Sequence, residues 1–435
     1  MNCESAIKEI LKSHMRLSQS REKEEPLEMR EYVKRLLSYA LFGAIFLSVV
    51  QIRCQSQSTT VSADRATQEV NALLSKSLAK SRKQKVWPDD PLRGFQVFAF
   101  NPSVSPGFLS EETFKKLKAW NINVLRLWID VDPDSPSAVK PGETQLHAPL
   151  NNPIAPYKKN LEGLRIALAL AEKYHIYIIP VAGGVVGRET DALSRETNPG
   201  NCYPGLIALW EYIAKNFGTH PWLLGYDLLN EPNSKDEVDY WHSTMVPQLI
   251  KRVRAIDRNT YLIIETAPWS LPDQAFPPSL TPVKDPKAIY SFHFYYPHSY
   301  THQGLYTYKG AEFEGKPYPG MLRLFESSTP TSWDKAALEA TMKNAISFQK
   351  KYGVKIFVGE FSVIRWAPGA ARWLSDVIDI FEKHHFSWTY HCYGTWNGWN
   401  PTFPADAPQS ALTDGGVETD RMKLLIKAWA KNKKY

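Results

Sequence analysis

From Trp87 onward, short apolar runs alternate with longer stretches in which apolar residues recur at helical spacing. Eight of the short runs have the length and the β-branched or aromatic content of buried strands. These strands are predicted at residues 94–101, 124–130, 176–184, 223–231, 261–268, 288–296, 355–363 and 386–394. Helices are predicted at residues 110–120, 161–175, 206–218, 246–257, 335–353, 371–385 and 421–432.

Eight strands, most of them followed by a helix, predict an α/β fold of the (β/α)8 barrel type over residues 87–435. The strands are almost continuously apolar, as expected when both faces are buried. The alternative is a doubly wound open sheet, which needs a glycine-rich phosphate turn after its first strand. The sequence FNPSVSPGF at that place is no such turn, so we favour the barrel.

Long loops follow several of the predicted strands, whereas the opposite connections are short. In a barrel, the loops after the strands form the functional face. Long irregular loops inside a compact domain usually carry function. The long loops cover residues 131–159, 185–204, 297–334 and 395–419.

The N-terminal part, residues 1–54, contains an uncharged apolar run at 36–50 preceded by Lys34 and Arg35. This pattern predicts a secretory signal peptide or an anchor, and Met29 is a second candidate start. Cleavage and release, lipid anchoring at Cys54 and a retained membrane helix all remain open. Each would place the barrel outside the cytoplasm: secreted, periplasmic or on the cell surface. Residues 55–86 are predicted to form a polar linker that includes some helix.

The positive charge of the chain is concentrated at its front. Residues 1–86 hold 15 basic and 9 acidic side chains, whereas the rest holds 37 basic and 36 acidic ones. The predicted barrel is therefore nearly neutral, and we expect no nucleic-acid partner. Four cysteines are too few for a disulfide scaffold. Separately, we expect the protein to be a monomer.

Two predicted strands end in a glutamate. Glu231 lies in the sequence DLLNEPN after the fourth strand, and Glu360 lies in FVGEF at the seventh. A carboxylate at the end of a buried apolar run is unfavourable unless it has a partner or a task. Two of them facing each other across a barrel mouth resemble the acid and the nucleophile of a retaining glycosidase.

The segment LGYDLLNEPN, residues 224–233, resembles the signature of glycoside hydrolase family 5, the cellulase family. The resemblance implies a retaining β-glycoside hydrolase with Glu231 as acid/base and Glu360 as nucleophile. The implied substrate is a β-linked polysaccharide or oligosaccharide, cleaved in the manner of an endo-β-1,4-glucanase or a mannanase. It also implies that neither a metal nor a cofactor takes part.

Neighbouring residues extend the resemblance. It implies that Arg126 and Tyr295 hold Glu360, that Asn230 binds the sugar 2-hydroxyl, and that His293 supports the site. Two features depart from the family. The loop after the third strand has no histidine. Arg188 could substitute for it, or the glycines of the loop could leave space for a sugar. The usual tryptophan position on the eighth strand falls at His391.

Aromatic side chains are common at the predicted strand ends and in the long loops, where they could stack on sugar rings. Trp388 or Trp396 would have to replace the tryptophan displaced by His391. The predicted substrate-binding residues are Trp128, Trp269, Trp366, Trp388, His391, Trp396 and Trp399. We expect Glu265, on the fifth strand, to be structural or part of a sugar subsite.

Two other functions remain open. A catalytically silent sugar-binding protein on the same barrel would explain the altered histidine and tryptophan positions. A metal-dependent hydrolase is disfavoured, because His293, His298 and His302 do not have the spacing of a known metal site. The sequence leaves open which sugar is bound and whether cleavage is endo or exo.

Overall fold

The computed structural model describes residues 84–100, 108–135, 152–183, 204–232, 240–408 and 415–435. The predicted signal or anchor region and residues 55–83 of the predicted linker lie outside this part of the chain. So do Cys54 and Arg188. In the described part, no helix is both long and apolar enough to cross a membrane.

The eight predicted strands form a closed parallel barrel, which confirms the predicted fold class. The barrel strands are β1 (Arg93–Phe98), β2 (Val124–Ile129), β3 (Tyr177–Ala182), β4 (Gly225–Asp227), β5 (Tyr261–Glu265), β6 (Ala288–Phe294), β9 (Ile356–Phe361) and β10 (Ser387–Tyr390). Strand β1 pairs with both β2 and β10, which closes the sheet on itself. The remaining two, β7 (Gly320–Leu322) and β8 (Thr331–Trp333), form an antiparallel hairpin in the long loop after β6.

The helices surround the barrel at nearly the predicted positions. In chain order they are α1 (Glu111–Ala119), α2 (Lys158–Tyr174), α3 (Pro204–Phe217), α4 (Val246–Arg254), α5 (His298–Thr301), α6 (Lys335–Thr341), α7 (Lys343–Tyr352), α8 (Ala370–Lys383) and α9 (Asp420–Trp429). Side chains cap the N-termini of several helices. Ser110 accepts a hydrogen bond from the backbone amide of Thr113 at α1, and Asp334 accepts one from that of Ala337 at α6. The predicted helix 335–353 is two helices that meet at Met342.

Apolar side chains fill the N-terminal end of the barrel. Leu92, Val124, Ile263 and Phe357 belong to this inner cluster, which is separate from the larger layer between strands and helices. Trp87 closes the end by packing edge-on against Phe357, with ring centroids 6.0 Å apart. The inside of the barrel is therefore solid at this end, and polar side chains are collected at the other.

The folded part begins before Trp87, where the sequence placed the end of a linker. Lys85 is 7% exposed, and its ammonium donates to the Gly218 carbonyl and to the Thr260 hydroxyl. Burial lowers the pKa of Lys85 to about 8, although Asp257 opposes this change. The packed part of the described chain therefore includes at least the two residues before Trp87.

Candidate active site

Arg126, on β2, is the centre of the polar cluster at the C-terminal end of the barrel. Its fully buried guanidinium donates to Asp227 at 2.8 Å and to Glu360 at 2.7 Å. It also donates to Glu265, to Gln96 and to Asn230. A planar guanidinium has five N–H groups in a fixed arrangement, so it can hold several carboxylates at once. One buried cation therefore fixes the relative positions of five side chains that come from four strands or their ends.

Glu360 is turned toward this cluster by a β-bulge. Pairing between β6 and β9 passes from Phe292 with Val358 to His293 with Glu360, which leaves Gly359 without a partner in the ladder. A Cβ at Gly359 would lie 2.9 Å from Nε2 of His293 and 3.2 Å from Nε of Arg126. Glycine is needed here because the charged cluster occupies the space that a side chain would take.

Two donors hold the Glu360 carboxylate. Arg126 donates to Oε1, and the Tyr295 hydroxyl donates to Oε2 at 2.9 Å. Burial by itself raises the pKa of Glu360, but the positive charges of His293, His391 and Arg126 outweigh it and leave that pKa well below its usual value. Glu360 is therefore an ionised carboxylate with a fixed orientation, as a nucleophile requires.

Glu231 lies four residues after the end of β4, in a left-handed backbone conformation with φ of 46°. This conformation is unfavourable for a residue with a side chain. Glu265 stabilises it, because its carboxylate accepts a hydrogen bond from the backbone amide of Glu231 at 2.7 Å. The Glu231 side chain is 26% exposed, and its Oε1 lies 2.7 Å from Nδ1 of His293. Burial raises the pKa of Glu231, His293 opposes this change, and the charges of Glu360 and Glu265 add to it.

His293 links the carboxylates. Its Nδ1 contacts Glu231, and its Nε2 lies 3.3 Å from Oε1 of Glu265. Burial disfavours a charged imidazole, but the negative charges of Glu265 and Glu360 raise the pKa of His293 well above its usual value. His293, on β6, and Tyr295, just after it, both line the cavity, which agrees with the alternation expected along an extended strand.

The two glutamates meet across the cavity. One oxygen of Glu231, one nitrogen of His293 and one oxygen of Glu360 lie within 4.8 Å of one another. This spacing suits a retaining glycosidase, in which the carboxyl groups stand about 5–5.5 Å apart. The same three atoms are close enough to share a cation. However, Arg126 lies 2.7 Å from Glu360 and His293 already contacts Glu231, so a metal ion would have to displace existing partners.

A cavity of about 670 Å³ opens above these carboxylates. Its walls are mostly aromatic, which provides flat apolar surfaces beside the polar floor. The lining residues are Phe98, Trp128, Asn230, Glu231, Trp269, Leu271, Gln274, His293, Tyr295, Tyr296, His298, His302, Phe325, Glu360, His391 and Trp399. A cleft of this size accommodates a small organic ligand or a short stretch of a polymer.

Four of the predicted substrate-binding residues line this cavity: Trp128, Trp269, His391 and Trp399. Trp396 stands beside them, with its ring centroid 5.2 Å from that of Trp399. Trp366 in turn packs edge-on against Trp396 at 6.2 Å. These last two rings extend the aromatic surface from the cavity toward solvent.

The prediction for Trp388 is wrong. Its side chain is fully buried and packs edge-on against Phe361 in the layer between the barrel and the helices. Trp388 and Tyr390 both belong to this layer, because alternate residues of β10 point away from the barrel axis. Trp388 therefore cannot serve as a platform for a sugar.

Sequence reasoning missed Asp227 and Gln96, which both accept hydrogen bonds from Arg126. Glu265 was expected to be structural or part of a subsite, and its carboxylate accepts hydrogen bonds from both Arg126 and the Glu231 backbone. Asp227 had one sequence signal, since it is an acidic residue four positions before Glu231 in the same motif. His298 and His302 line the cavity as a stacked pair, with ring centroids 3.8 Å apart.

Replacing Arg126 with methionine should destabilise the protein strongly. The change would leave Asp227, Glu265 and Glu360 buried without their shared cation, at a cost of about 3–5 kcal/mol in the free energy of unfolding. Urea unfolding followed by circular dichroism measures this loss, and Arg126→Lys should give an intermediate value. Arg165→Met, which breaks an exposed ion pair with Glu162, is the matched control. If the urea midpoint of Arg126→Met equalled that of the control, Arg126 would not be the cation that stabilises the buried carboxylates.

Comparisons with known proteins identify the family of the chain. The sequence profile described as Cellulase (glycosyl hydrolase family 5) matches residues 81–397, which is more than half of the chain. Endoglucanase C of Acetivibrio thermocellus is 28% identical in an alignment 204 residues long that covers 42% of this chain and 58% of that protein. Cellodextrinase A of Ruminococcus flavefaciens is 28% identical over 211 residues, or 48% of this chain and 58% of its own length. This chain therefore spans less than two thirds of these relatives.

Solved structures support the fold. The endoglucanase Cel5A of Thermotoga maritima superposes with a TM-score of 0.56 at 21% identity, covering 78% of this chain and 96% of its own. A glycoside hydrolase structure superposes equally well at 17% identity, covering 78% and 99% of the two chains. At these identities the likeness shows the (β/α)8 fold, whereas the profile match over residues 81–397 shows the family. The chain belongs to glycosyl hydrolase family 5, the cellulase family.

Proposed function

We propose that this protein is a retaining β-glycoside hydrolase that cleaves a β-linked glucan or a related polysaccharide within the chain. The observation that carries the proposal is the pair formed by Glu231 and Glu360. One carboxylate oxygen of Glu231 lies within 4.8 Å of one of Glu360, yet the pKa of Glu231 is raised and that of Glu360 is lowered. Two carboxyl groups with opposed pKa shifts in one cavity are the arrangement of an acid and a nucleophile.

The reaction begins with Glu360 as a carboxylate and Glu231 as an acid. Oε of Glu360 attacks the anomeric carbon, and Glu231 transfers its proton to the departing glycosidic oxygen, which gives a glycosyl ester and a free alcohol. Ester formation removes the negative charge of Glu360, and this charge is one cause of the raised pKa of Glu231. The pKa of Glu231 therefore falls once the ester has formed, so Glu231 stays ionised and can accept a proton from the attacking water.

The neighbouring groups fit this sequence of steps. Arg126 and Tyr295 hold the nucleophile, and Tyr295 keeps its proton because burial and the charge of Glu360 raise its pKa well above the usual value. Asn230, which Arg126 holds at 2.9 Å, lines the cavity beside Glu231 and is assigned to the sugar 2-hydroxyl. Trp128, Trp269 and Trp399 offer surfaces for stacking, while Trp366 and Trp396 would serve sugar units further away.

The relatives narrow the substrate class. Two of them are named endoglucanase and cellodextrinase, and a β-1,4-glucan is therefore our first choice, with mannan as the alternative. Reducing-sugar release from a panel of glucans and mannans tests this, and proton NMR of the first product gives its anomeric configuration. Release of β-configured product would support the proposal. Binding without hydrolysis would instead identify a silent sugar-binding protein, and loss of activity with a chelator would indicate a metal enzyme.

We also propose that the enzyme acts outside the cytoplasm, either released or attached to the cell surface. The support is the apolar run at residues 36–50 with its preceding basic residues and Cys54 after it. Cell fractionation of the full chain, with Cys54→Ala as the comparison, separates release from lipid anchoring. Recovery of the whole unprocessed chain in the cytosol would contradict this proposal.

The pH profile of kcat/KM should be bell-shaped and wide. Activity requires Glu360 without its proton and Glu231 with its proton. Because the pKa of Glu360 is lowered, the acidic limb should lie below the usual range of glutamate. Because the pKa of Glu231 is raised, activity should persist above that range and fall as Glu231 ionises. Initial rates in buffers of constant ionic strength measure both limbs, and a profile that falls with rising pH near the ordinary pKa of glutamate would contradict the assignment.

A further inference from the structure

The N-terminal end of the barrel carries a large excess of positive charge. The last turns of the helices and the segments before the next strands all lie at this end, and we call the surface they form the basal face. It holds 19 basic and 6 acidic side chains, in residues 84–92, 116–123, 171–176, 214–224, 251–260, 284–287, 349–355, 380–386 and 427–435. The other described residues hold 15 basic and 22 acidic ones, so the charge of the barrel is polarised along its axis.

Few acidic groups of the basal face are free to balance this charge. Four of the six form ion pairs with cations of the same face, such as Asp285 with Arg254 at 2.7 Å. Six exposed cations have no ion-pair partner among the described residues, namely Arg258, Lys284, Lys350, Lys351, Lys427 and Lys434. Cations in a last helical turn stabilise the helix dipole, but Arg258, Lys284 and Lys434 lie outside the helices, so this effect does not explain them.

The cations of the basal face also repel one another. Burial lowers the pKa of Lys118, and the charge of Lys434 lowers it further. Burial and the charge of Arg254 act in the same way on the pKa of Lys287. These like charges lie close together without enough anions between them. A negatively charged surface placed against the basal face would remove this repulsion.

Apolar side chains are exposed among these cations. The Lys85 amide donates to the Asn259 side chain at 2.9 Å, which places the next residue, Val86, beside the loop before β5. Val86 is 64% exposed, and Ile256, in that loop, is 43% exposed. Apolar side chains surrounded by basic ones suit an anionic bilayer, because the apolar groups enter the headgroup layer while the cations contact phosphates. A soluble polyanion would leave Val86 and Ile256 in water.

We propose that the basal face binds a bilayer that contains anionic phospholipid, with Val86 and Ile256 in the headgroup layer. The upstream chain, which carries the apolar run at residues 36–50, joins the barrel on this face at residue 84. The cavity lies at the opposite end of the barrel, so its mouth faces away from the bilayer and toward a polymer in the surroundings. This inference concerns where the barrel sits, and it does not depend on which bond the cavity cleaves.

A chemical footprint of the lysines tests this docking. The full chain is reconstituted with vesicles of phosphatidylcholine, either alone or mixed with phosphatidylglycerol, and its acetylation by sulfo-N-hydroxysuccinimide acetate is timed by mass spectrometry. On the anionic vesicles, Lys350 and Lys434 should react at least about threefold more slowly than on the neutral ones, because headgroups cover them. Lys158 and Lys309, which are exposed at the cavity end, should react equally on both. The difference should vanish in molar salt, where the screening length is only about 3 Å.

Charge reversal connects the footprint to the basal face. Arg258, Lys284 and Lys351 precede or adjoin β5, β6 and β9, which are neighbours in the barrel, so together they form one patch. The triple variant Arg258→Glu, Lys284→Glu, Lys351→Glu should lose the protection of Lys350 and Lys434 on anionic vesicles. The matched control reverses three exposed cations near the cavity end, Lys158→Glu, Lys309→Glu and Lys343→Glu, and it should keep that protection. Circular dichroism verifies that both variants fold.

Three results would overturn the inference. The first is an equal rate of acetylation at Lys350 and Lys434 on both kinds of vesicle. The second is protection that survives the basal triple variant or extends equally to Lys158 and Lys309. The third is protection by soluble polyphosphate but not by anionic vesicles, which would assign the face to a polymer. Each of these leaves the proposed hydrolase function standing, because polysaccharide hydrolysis is measured separately on the same preparations.

Discussion

Replacing Glu360 with glutamine should reduce kcat by at least about 10⁴-fold, or about 5.5 kcal/mol in activation free energy. The amide has nearly the same shape but cannot form the glycosyl ester, so the double displacement is blocked at its first step. Steady-state rates on the preferred polysaccharide measure this loss. The cavity walls remain, so calorimetry should show an oligosaccharide bound with an affinity similar to that of the wild type.

The control for this variant is Glu211→Gln. Glu211 pairs with Arg252 on the protein surface, far from the cavity residues, so the same chemical change there should leave kcat unaltered. Circular dichroism of both variants verifies that they fold. If Glu360→Gln retained the rate of the wild type, another group would have to be the nucleophile.

Replacing Glu231 with alanine should have an effect that depends on the leaving group. On natural oligosaccharides, kcat/KM should fall about 10³-fold, because the departing sugar oxygen needs a proton and general acids contribute about 10²–10⁴-fold. On a 2,4-dinitrophenyl β-glycoside, whose leaving group needs no proton, the fall in kcat/KM should be less than about tenfold.

The same variant should reveal the covalent intermediate. Without the base that activates water, hydrolysis of the ester becomes slow, so dinitrophenol should be released in a burst before the steady state. The alkaline limb of the pH profile should also disappear, since it reports the ionisation of Glu231. Equal losses of kcat/KM on both substrates, with the alkaline limb retained, would show that Glu231 is not the acid.

The strands could be read from the sequence because each is a local apolar run. Strand β4 shows where this kind of prediction fails. The strand was predicted over residues 223–231, but it forms a continuous ladder with the neighbouring strands only from Gly225 to Asp227. The following residues leave the sheet to carry Asn230 and Glu231 into the cavity, with Glu231 in the left-handed region. Apolar residues are buried both in a strand and just after it, so the pattern does not mark where pairing ends.

The surroundings of Arg126 could not be predicted in the same way. Its partners Asp227, Glu265 and Glu360 come from β4, β5 and β9, and they lie 101, 139 and 234 residues beyond Arg126 in the chain. Their meeting depends on the closure of the barrel and on the bulge at Gly359. Similarly, the error on Trp388 arose because the side of β10 that each residue faces is set by pairing with its neighbours.

The sequence by itself determined the fold class, the family resemblance and the two glutamates, because periodicity and the Asn-Glu-Pro motif are properties of short segments. Only the tertiary structure decided which of the two glutamates is ionised and which holds a proton. The pKa of Glu360 is lowered by His293, His391 and Arg126, and the pKa of Glu231 is raised by burial and by its acidic neighbours. These charges act through space at a few ångströms, and only the closed barrel brings them within that distance.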